Sequence, residues 1–291
     1  MRSKKTILLI LAAILILLVG VLAVCYPIWA NRHAAQAKSS VITDYNAVVE
    51  EKSNEDLLEA IQSAQEYNDM LYTGEYSPLT PEENGYYNEL NILANGVMGY
   101  IDIPKINVSL PIYHGIGDRE LRSGCGHMPQ SSLPVGGDNT HSVLSSHSGS
   151  TSKLFTDLEL MDIGDTFYIH ILDVTLAYEV ESIDVVLPTE IEKIKIEAGR
   201  DLCTLLTCTP YGVNTHRLLV TGHRIDYTEP EEDTAAGSGA VPEPQPESML
   251  PSTWHYLQGI LIGLGVSVGA LGIVLAVHFI RRKKEGRKEN E

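Results

Sequence analysis

Two long apolar runs bracket a stretch of mixed polarity. The first extends from Thr6 to Trp29 without a charged side chain, and the second from Leu257 to Ile280. A helix needs about 20 apolar residues to cross the hydrocarbon core of a bilayer, so residues 6–29 and 254–280 are each expected to form a transmembrane helix. Between them the periodicity changes twice. Leu57, Ile61, Ala64 and Leu71 recur near helical spacing within Asp44 to Tyr72, predicting one helix. Ser53 and Asp56 have capping-box spacing ahead of these apolar positions, and Gly74 is a plausible stop. Residues 75–95 are polar, carry Pro78 and Pro81, and read as a loop with a short helix.

From Val97 onward the texture becomes that of short strands. The apolar segments are Val97 to Ile103, Val108 to Tyr113, Ser142 to Ser146, Thr166 to Leu172, Thr175 to Val186, Leu202 to Cys208 and Arg217 to Gly222. Turn-forming clusters such as Gly136-Gly137-Asp138-Asn139 separate them. Many short strands with this punctuation predict a mainly β barrel or sandwich over residues 96–227. Lys153 to Leu160 reads as a helical insertion. Residues 228–253, rich in Glu, Pro, Ala and Gly, read as a flexible acidic stalk.

Charge gives the apolar runs a direction. Arg2, Lys4 and Lys5 precede the first, and Arg281, Arg282, Lys283 and Lys284 follow the second. Basic flanks stay in the cytoplasm. Residues 1–5 and 281–291 are therefore expected on the cytoplasmic side of the cell membrane, with a helical extension (30–74) and the β domain outside the cell. A cleaved signal peptide, or lipidation at Leu22-Ala23-Val24-Cys25, is the alternative at the first run. The formal net charge of −17 argues against a nucleic-acid partner. Four cysteines, Cys25, Cys125, Cys203 and Cys208, are too few for a disulfide scaffold. Cys125 and Cys203 either pair or stand as two separate buried thiols.

Chemistry concentrates between Thr204 and Val220. Cys208 ends an apolar strand, the turn Pro210-Tyr211-Gly212 follows, and Arg217 opens the returning strand. A thiol and a guanidinium thus face each other across a hairpin. A thiol becomes a nucleophile when a cation and a base stand near it. Arginine stays protonated in proteins, so Arg217 is suited to holding carbonyl oxygens or an oxyanion, not to acting as the base. His147, where the Ser142 to Ser146 strand runs into a loop, is the candidate base, and His141 is its rival. Arg224 competes with Arg217, and His216 should point to the opposite strand face. Thr207 and Ser145, beside the candidate nucleophile and base, are candidate substrate-binding residues. No tight zinc-ligand spacing such as His-Glu-X-X-His occurs, and no metal or other cofactor is implied.

The hairpin Thr204 to Val220 resembles the active-site hairpin of class C sortases, the pilin-polymerising cysteine transpeptidases of Gram-positive cell surfaces. The resemblance extends from about Tyr86 to Ile225. Tyr86-Tyr87-Asn88, Gly96 to Ile101, Pro111 to Gly115, Ser131 to Gly137 and Lys153-Leu154-Phe155-Thr156-Asp157-Leu158 all carry it. It implies an eight-stranded sortase-type β-barrel and a catalytic trio of His147, Cys208 and Arg217. It further implies a thioester formed at an LPXTG-like sorting signal and its transfer to a pilin lysine amine. Ser148 stands where the family usually has arginine. The family's lid over the cysteine is commonly fixed by an Asp-Pro-aromatic motif, which this chain lacks. Tyr76, Pro78 and Leu79 are the lid candidates, expected to cover the thiol only loosely. A housekeeping sortase acting on a peptidoglycan amine, and a non-enzymatic membrane-tethered scaffold or adhesin, remain the alternatives.

Overall fold

The computed structural model describes residues 35–75, 79–148 and 154–227 throughout, with isolated positions between 15 and 33 and between 265 and 272. The chain divides into two compact units, one of Met1–Arg32 with Pro246–Glu291, the other His33–Gln245. In the first unit the described positions are helical, and Leu15, Leu18, Val19 and Leu22 are exposed. The two expected transmembrane helices and the acidic stalk fall largely outside the described residues. Among the described residues, no helix is long and apolar enough to cross a membrane.

The second unit begins with two helices where the sequence pattern suggested one. Residues 35–51 are helical, and a separate helix, α1, spans Asn54–Thr73. The break has a chemical cause. Ser53 adopts an extended conformation and its hydroxyl accepts the Asp56 backbone N–H at 3.1 Å, capping α1. A residue in that geometry cannot continue the preceding helix. At the other end Gly74 takes a left-handed conformation, φ 82°, and its N–H closes on Leu71. That is the expected stop.

Eight strands close into a barrel: β1 (Val97–Ile103), β2 (Val108–His114), β3 (Cys125–His127), β4 (Thr140–Ser145), β5 (Thr166–Ile171), β6 (Val174–Val186), β7 (Asp201–Thr209) and β8 (His216–Ile225). Around the barrel the order is β1-β2-β3-β4-β7-β8-β6-β5. Two neighbouring pairs, β2–β3 and β4–β7, are parallel, and the rest are antiparallel. Parallel neighbours cannot be joined by a tight turn. The first crossover carries a short helix, α2 (Asp118–Ser123), and the second carries β5 and β6.

Met98, Ile101, Ile103, Ile112, Leu144, Phe155, Phe167, Leu205 and Val220 fill the interior and are fully buried. Gly99 allows β1 to pass close to β5, since a Cβ there would collide with the His170 carbonyl oxygen. The expected helical insertion at 153–160 is corrected. Residues 154–157 form turns, and only Leu158–Leu160 makes a single 3₁₀ turn. Leu154, Phe155 and Leu158 are all fully buried, and their spacing also fits one helix face, which is why the sequence reads as helix. The backbone N–H groups of Leu158, Leu160 and Met161 instead bond the carbonyls three residues back, the pattern of tight turns.

The helical extension is fastened to the barrel by buried polar groups as well as apolar packing. The Tyr45 hydroxyl donates to the Met98 carbonyl and accepts the Leu172 N–H, bridging β1 and the β5–β6 turn. The Asn68 amide exchanges two bonds with the backbone of Leu133, at 2.7 and 3.0 Å. Tyr86, also buried, bonds His127 and accepts the Gly115 N–H. The segment after the expected lid is therefore docked from Tyr86 on.

Candidate active site

β7 explains where the nucleophile sits. Leu202, Cys203, Thr204 and Leu205 are buried, because β7 lies between β4 and β8 in the closed sheet. At the strand's end Cys208 and Thr209 are both partly exposed. Cys208 is therefore an accessible thiol held by a rigid strand. Cys125 and Cys203 are free, fully buried thiols, not a disulfide, and burial pushes both thiols well above their ordinary pKa.

The antiparallel register of β7 and β8 places Arg217 directly opposite Cys208. Side chains of directly opposed residues share a face, with Cβ atoms about 4.5–5.5 Å apart. The Arg217 guanidinium donates through Nη1 to the carbonyls of Asn214 (3.2 Å) and His216 (3.0 Å) in the hairpin turn. Its remaining N–H groups have no partner among the described residues. The same pairing separates the two arginines: Arg224 pairs with Tyr178, far along β8, with its guanidinium 5.7 Å from that ring's centroid.

β4 runs parallel to β7 on the other side, and its last pair is Ser145 with Leu206. The alignment persists into the loop. Ser146 donates its N–H to Leu206, and the Thr207 hydroxyl donates to the Ser146 carbonyl. Two residues past the last pair, His147 is level with Cys208. The Ser148 hydroxyl then donates to the Cys208 carbonyl at 2.6 Å, joining the histidine's neighbour to the cysteine's own backbone. On its far side the His147 carbonyl accepts the Phe155 N–H.

His141 lies at the other end of β4. It is buried, with Nδ1 on the Lys195 carbonyl and Nε2 on the Thr204 hydroxyl. Burial pushes its pKa below the ordinary histidine value. His141 thus serves the fold. The candidate substrate residues Thr207 and Ser145 are both buried, and the Thr207 hydroxyl is occupied by Ser146. Of the lid candidates, Tyr76 and Pro78 lie outside the described residues, while Leu79 is described and exposed.

Cys208, Arg217 and His147 therefore converge at one end of the barrel, from three adjacent chain segments. A family model described as a sortase domain matches residues 101–225, a span that contains all three. Sortase C1 from Streptococcus agalactiae is similar to this chain with a TM-score of 0.62 and 44% identity, over 65% of this chain and 100% of that one. This chain belongs to the sortase family. A second similar structure, Clostridium perfringens sortase C with the C-terminal cell wall sorting motif, gives a TM-score of 0.57 and 44% identity, over 65% and 100% of the two chains. Sortase A from Streptococcus agalactiae serotype III (strain NEM316) is 34% identical over 117 residues, 39% of this chain and 47% of that one. The match spans about half the length of that relative. The chain is accordingly a sortase-type cysteine transpeptidase, and its neighbours in structure are class C.

One residue beside this candidate site was not found from the sequence. Asp118, the first residue of α2, places Oδ1 3.4 Å from Nε2 of His147. Arg122, one turn on, donates Nε to the other oxygen, Oδ2, at 2.8 Å. The Arg122 bond is the main cause, and His147 a lesser one, of an Asp118 pKa below the ordinary carboxylate value. The i,i+4 spacing of Asp118 and Arg122 is visible in the sequence as a helical ion pair, but nothing in it points across the barrel to His147.

Proposed function

We propose that this chain is a membrane-anchored sortase that cleaves an LPXTG-like signal and joins the released acyl group to a pilin lysine. The observation that carries the reading is the alignment at one barrel end: Cys208 opposite Arg217 and level with His147. In the first half-reaction the Cys208 thiolate attacks the threonine carbonyl of the signal. The carbonyl electrons move to an oxyanion, which the free N–H groups of Arg217 are positioned to stabilise. As the C–N bond to glycine breaks, His147 gives its proton to the departing amine. In the second half the lysine Nζ attacks the thioester, His147 takes a proton from it, the C–S bond breaks and the thiolate returns.

The choice of substrate rests on likeness. The Clostridium perfringens relative was solved with a sorting motif, and identity with the Streptococcus agalactiae sortase C1 is 44% over all of that chain, against 34% over about half of a sortase A. The two apolar runs and their basic flanks support a two-pass anchoring in the cell membrane with the barrel outside. Incubation with an LPXTG peptide and two competing amines, a lysine-bearing pilin domain and a peptidoglycan stem peptide, tests the reading. Mass analysis should find the isopeptide to the pilin lysine. Exclusive transfer to the stem peptide would make the chain a wall-anchoring sortase.

A further inference from the structure

The backbone of His147 is fixed on both sides. Ser146 is bonded to Leu206, Thr207 and Gly124, Ser148 to Cys208, and the His147 carbonyl to Phe155. What this does not fix is which ring nitrogen carries the proton. A histidine that exchanges a proton must present one bare nitrogen to its partner, and the group on the other nitrogen decides which. The ring of His147 answers with an asymmetry. Nε2 is shielded from solvent and makes no well-aligned hydrogen bond among the described residues. Asp118 Oδ1, 3.4 Å away, is the acceptor beside it. Nδ1 has no hydrogen-bond partner among the described residues.

Asp118 is itself held. Arg122 grips Oδ2, so Oδ1 is left turned toward the imidazole. A shielded Nε2 needs a partner, because a buried polar group left unpaired costs about 1–3 kcal/mol. A small rotation of either side chain converts the 3.4 Å contact into a hydrogen bond, as catalytic contacts commonly tighten when substrate arrives.

We infer that Asp118 is a positioning residue for His147, holding the imidazole as the Nε2–H tautomer so that Nδ1 is the nitrogen that exchanges the proton with the amine. This rests on the reading of His147 as the acid–base group. It also gives α2, otherwise a short crossover helix, a role in the reaction through its first residue.

The test uses the full chain in detergent, labelled with ¹⁵N-histidine, with the His147 signals assigned by their loss in His147→Gln. Long-range ¹H–¹⁵N correlation above the ring's titration should show His147 as the Nε2–H form. In Asp118→Ala the signal should move toward a mixture of tautomers. Single-turnover acylation should fall by about ten- to a hundredfold in that variant, part of the roughly 10²–10⁴ that a positioned acid–base group contributes. Asp118→Asn, which keeps an acceptor oxygen, should recover most of the rate and the parent tautomer. Substrate KM should stay near the parent value throughout. A dominant Nδ1–H form in the parent, or an unchanged tautomer and rate in Asp118→Ala, overturns the proposal alone. Acylation by His147→Gln at the parent rate overturns both the proposal and the reading beneath it.

Discussion

Three cysteines of the described domain share one side-chain chemistry and differ in place. Cys125 and Cys203 are inside the barrel with no exposed surface, whereas Cys208 is at a strand's end. Since the thiolate is the reactive form and needs access, iodoacetamide should alkylate Cys208 in the folded protein. Peptide mapping should find Cys125 and Cys203 modified only after denaturation. Equal labelling of all three would mean that the barrel opens around its core. The guanidinium opposite Cys208 is equally specific. Arg217→Lys keeps the charge but loses the planar fork that holds two oxygens at once. Single-turnover acylation should drop by about 10²–10³, the typical cost of an oxyanion contact. A rate within about twofold of parent would remove Arg217 from the transition state.

At the level of elements, β1 was legible to the residue, and the other long strands to within a few residues, because alternation over several positions reports a face. β3 was missed, since Cys125–His127 is too short to show any period. The split helix is more instructive. Ser53 was recognisable as a cap, and the apolar repeat from Leu57 to Leu71 lies wholly beyond it, yet the predicted helix extends back to Asp44. With Ser53 extended, the first turn of α1 has open backbone N–H groups, and the Ser53 hydroxyl satisfies that of Asp56. Ser53→Ala should lower stability by about 1 kcal/mol, visible as a lower melting temperature with the barrel intact. The Asn68 clamp was invisible in the sequence because it depends on Leu133, distant along the chain. Asn68→Leu leaves the Leu133 N–H buried without its partner and should cost about 1–3 kcal/mol. An unchanged denaturation midpoint in Asn68→Leu would mean that the helical extension is not fastened there. Of the candidate site, Cys208, Arg217 and His147 were singled out from motif and turn, and the fold brings them to one barrel end. Asp118 was not, because its relation to His147 exists only once β2, α2 and β4 have been brought together.

For the whole molecule, buried histidines tie stability to pH. Burial pushes His127 down from 6.5 to about 4, and His114 and His141 in the same direction. Between those values the unfolded chain binds protons that the folded chain refuses, so stability falls as pH falls through that window. His127 alone should account for about 2 kcal/mol between roughly pH 6.5 and 5, at 1.36 kcal/mol per unit. The melting temperature should therefore decline as the pH is lowered from about 7 to 5. A flat or rising curve would mean these rings are protonated in the fold. The covalent step can be observed directly. The full chain in detergent is incubated with a sorting-signal peptide, quenched in acid and analysed by intact mass and peptide mapping. An acyl adduct should form on Cys208, with the mass of the peptide up to threonine, and none in Cys208→Ala that has retained its fold. An adduct on Cys125 or Cys203, or one that persists in Cys208→Ala, would contradict the assignment of Cys208 as the nucleophile.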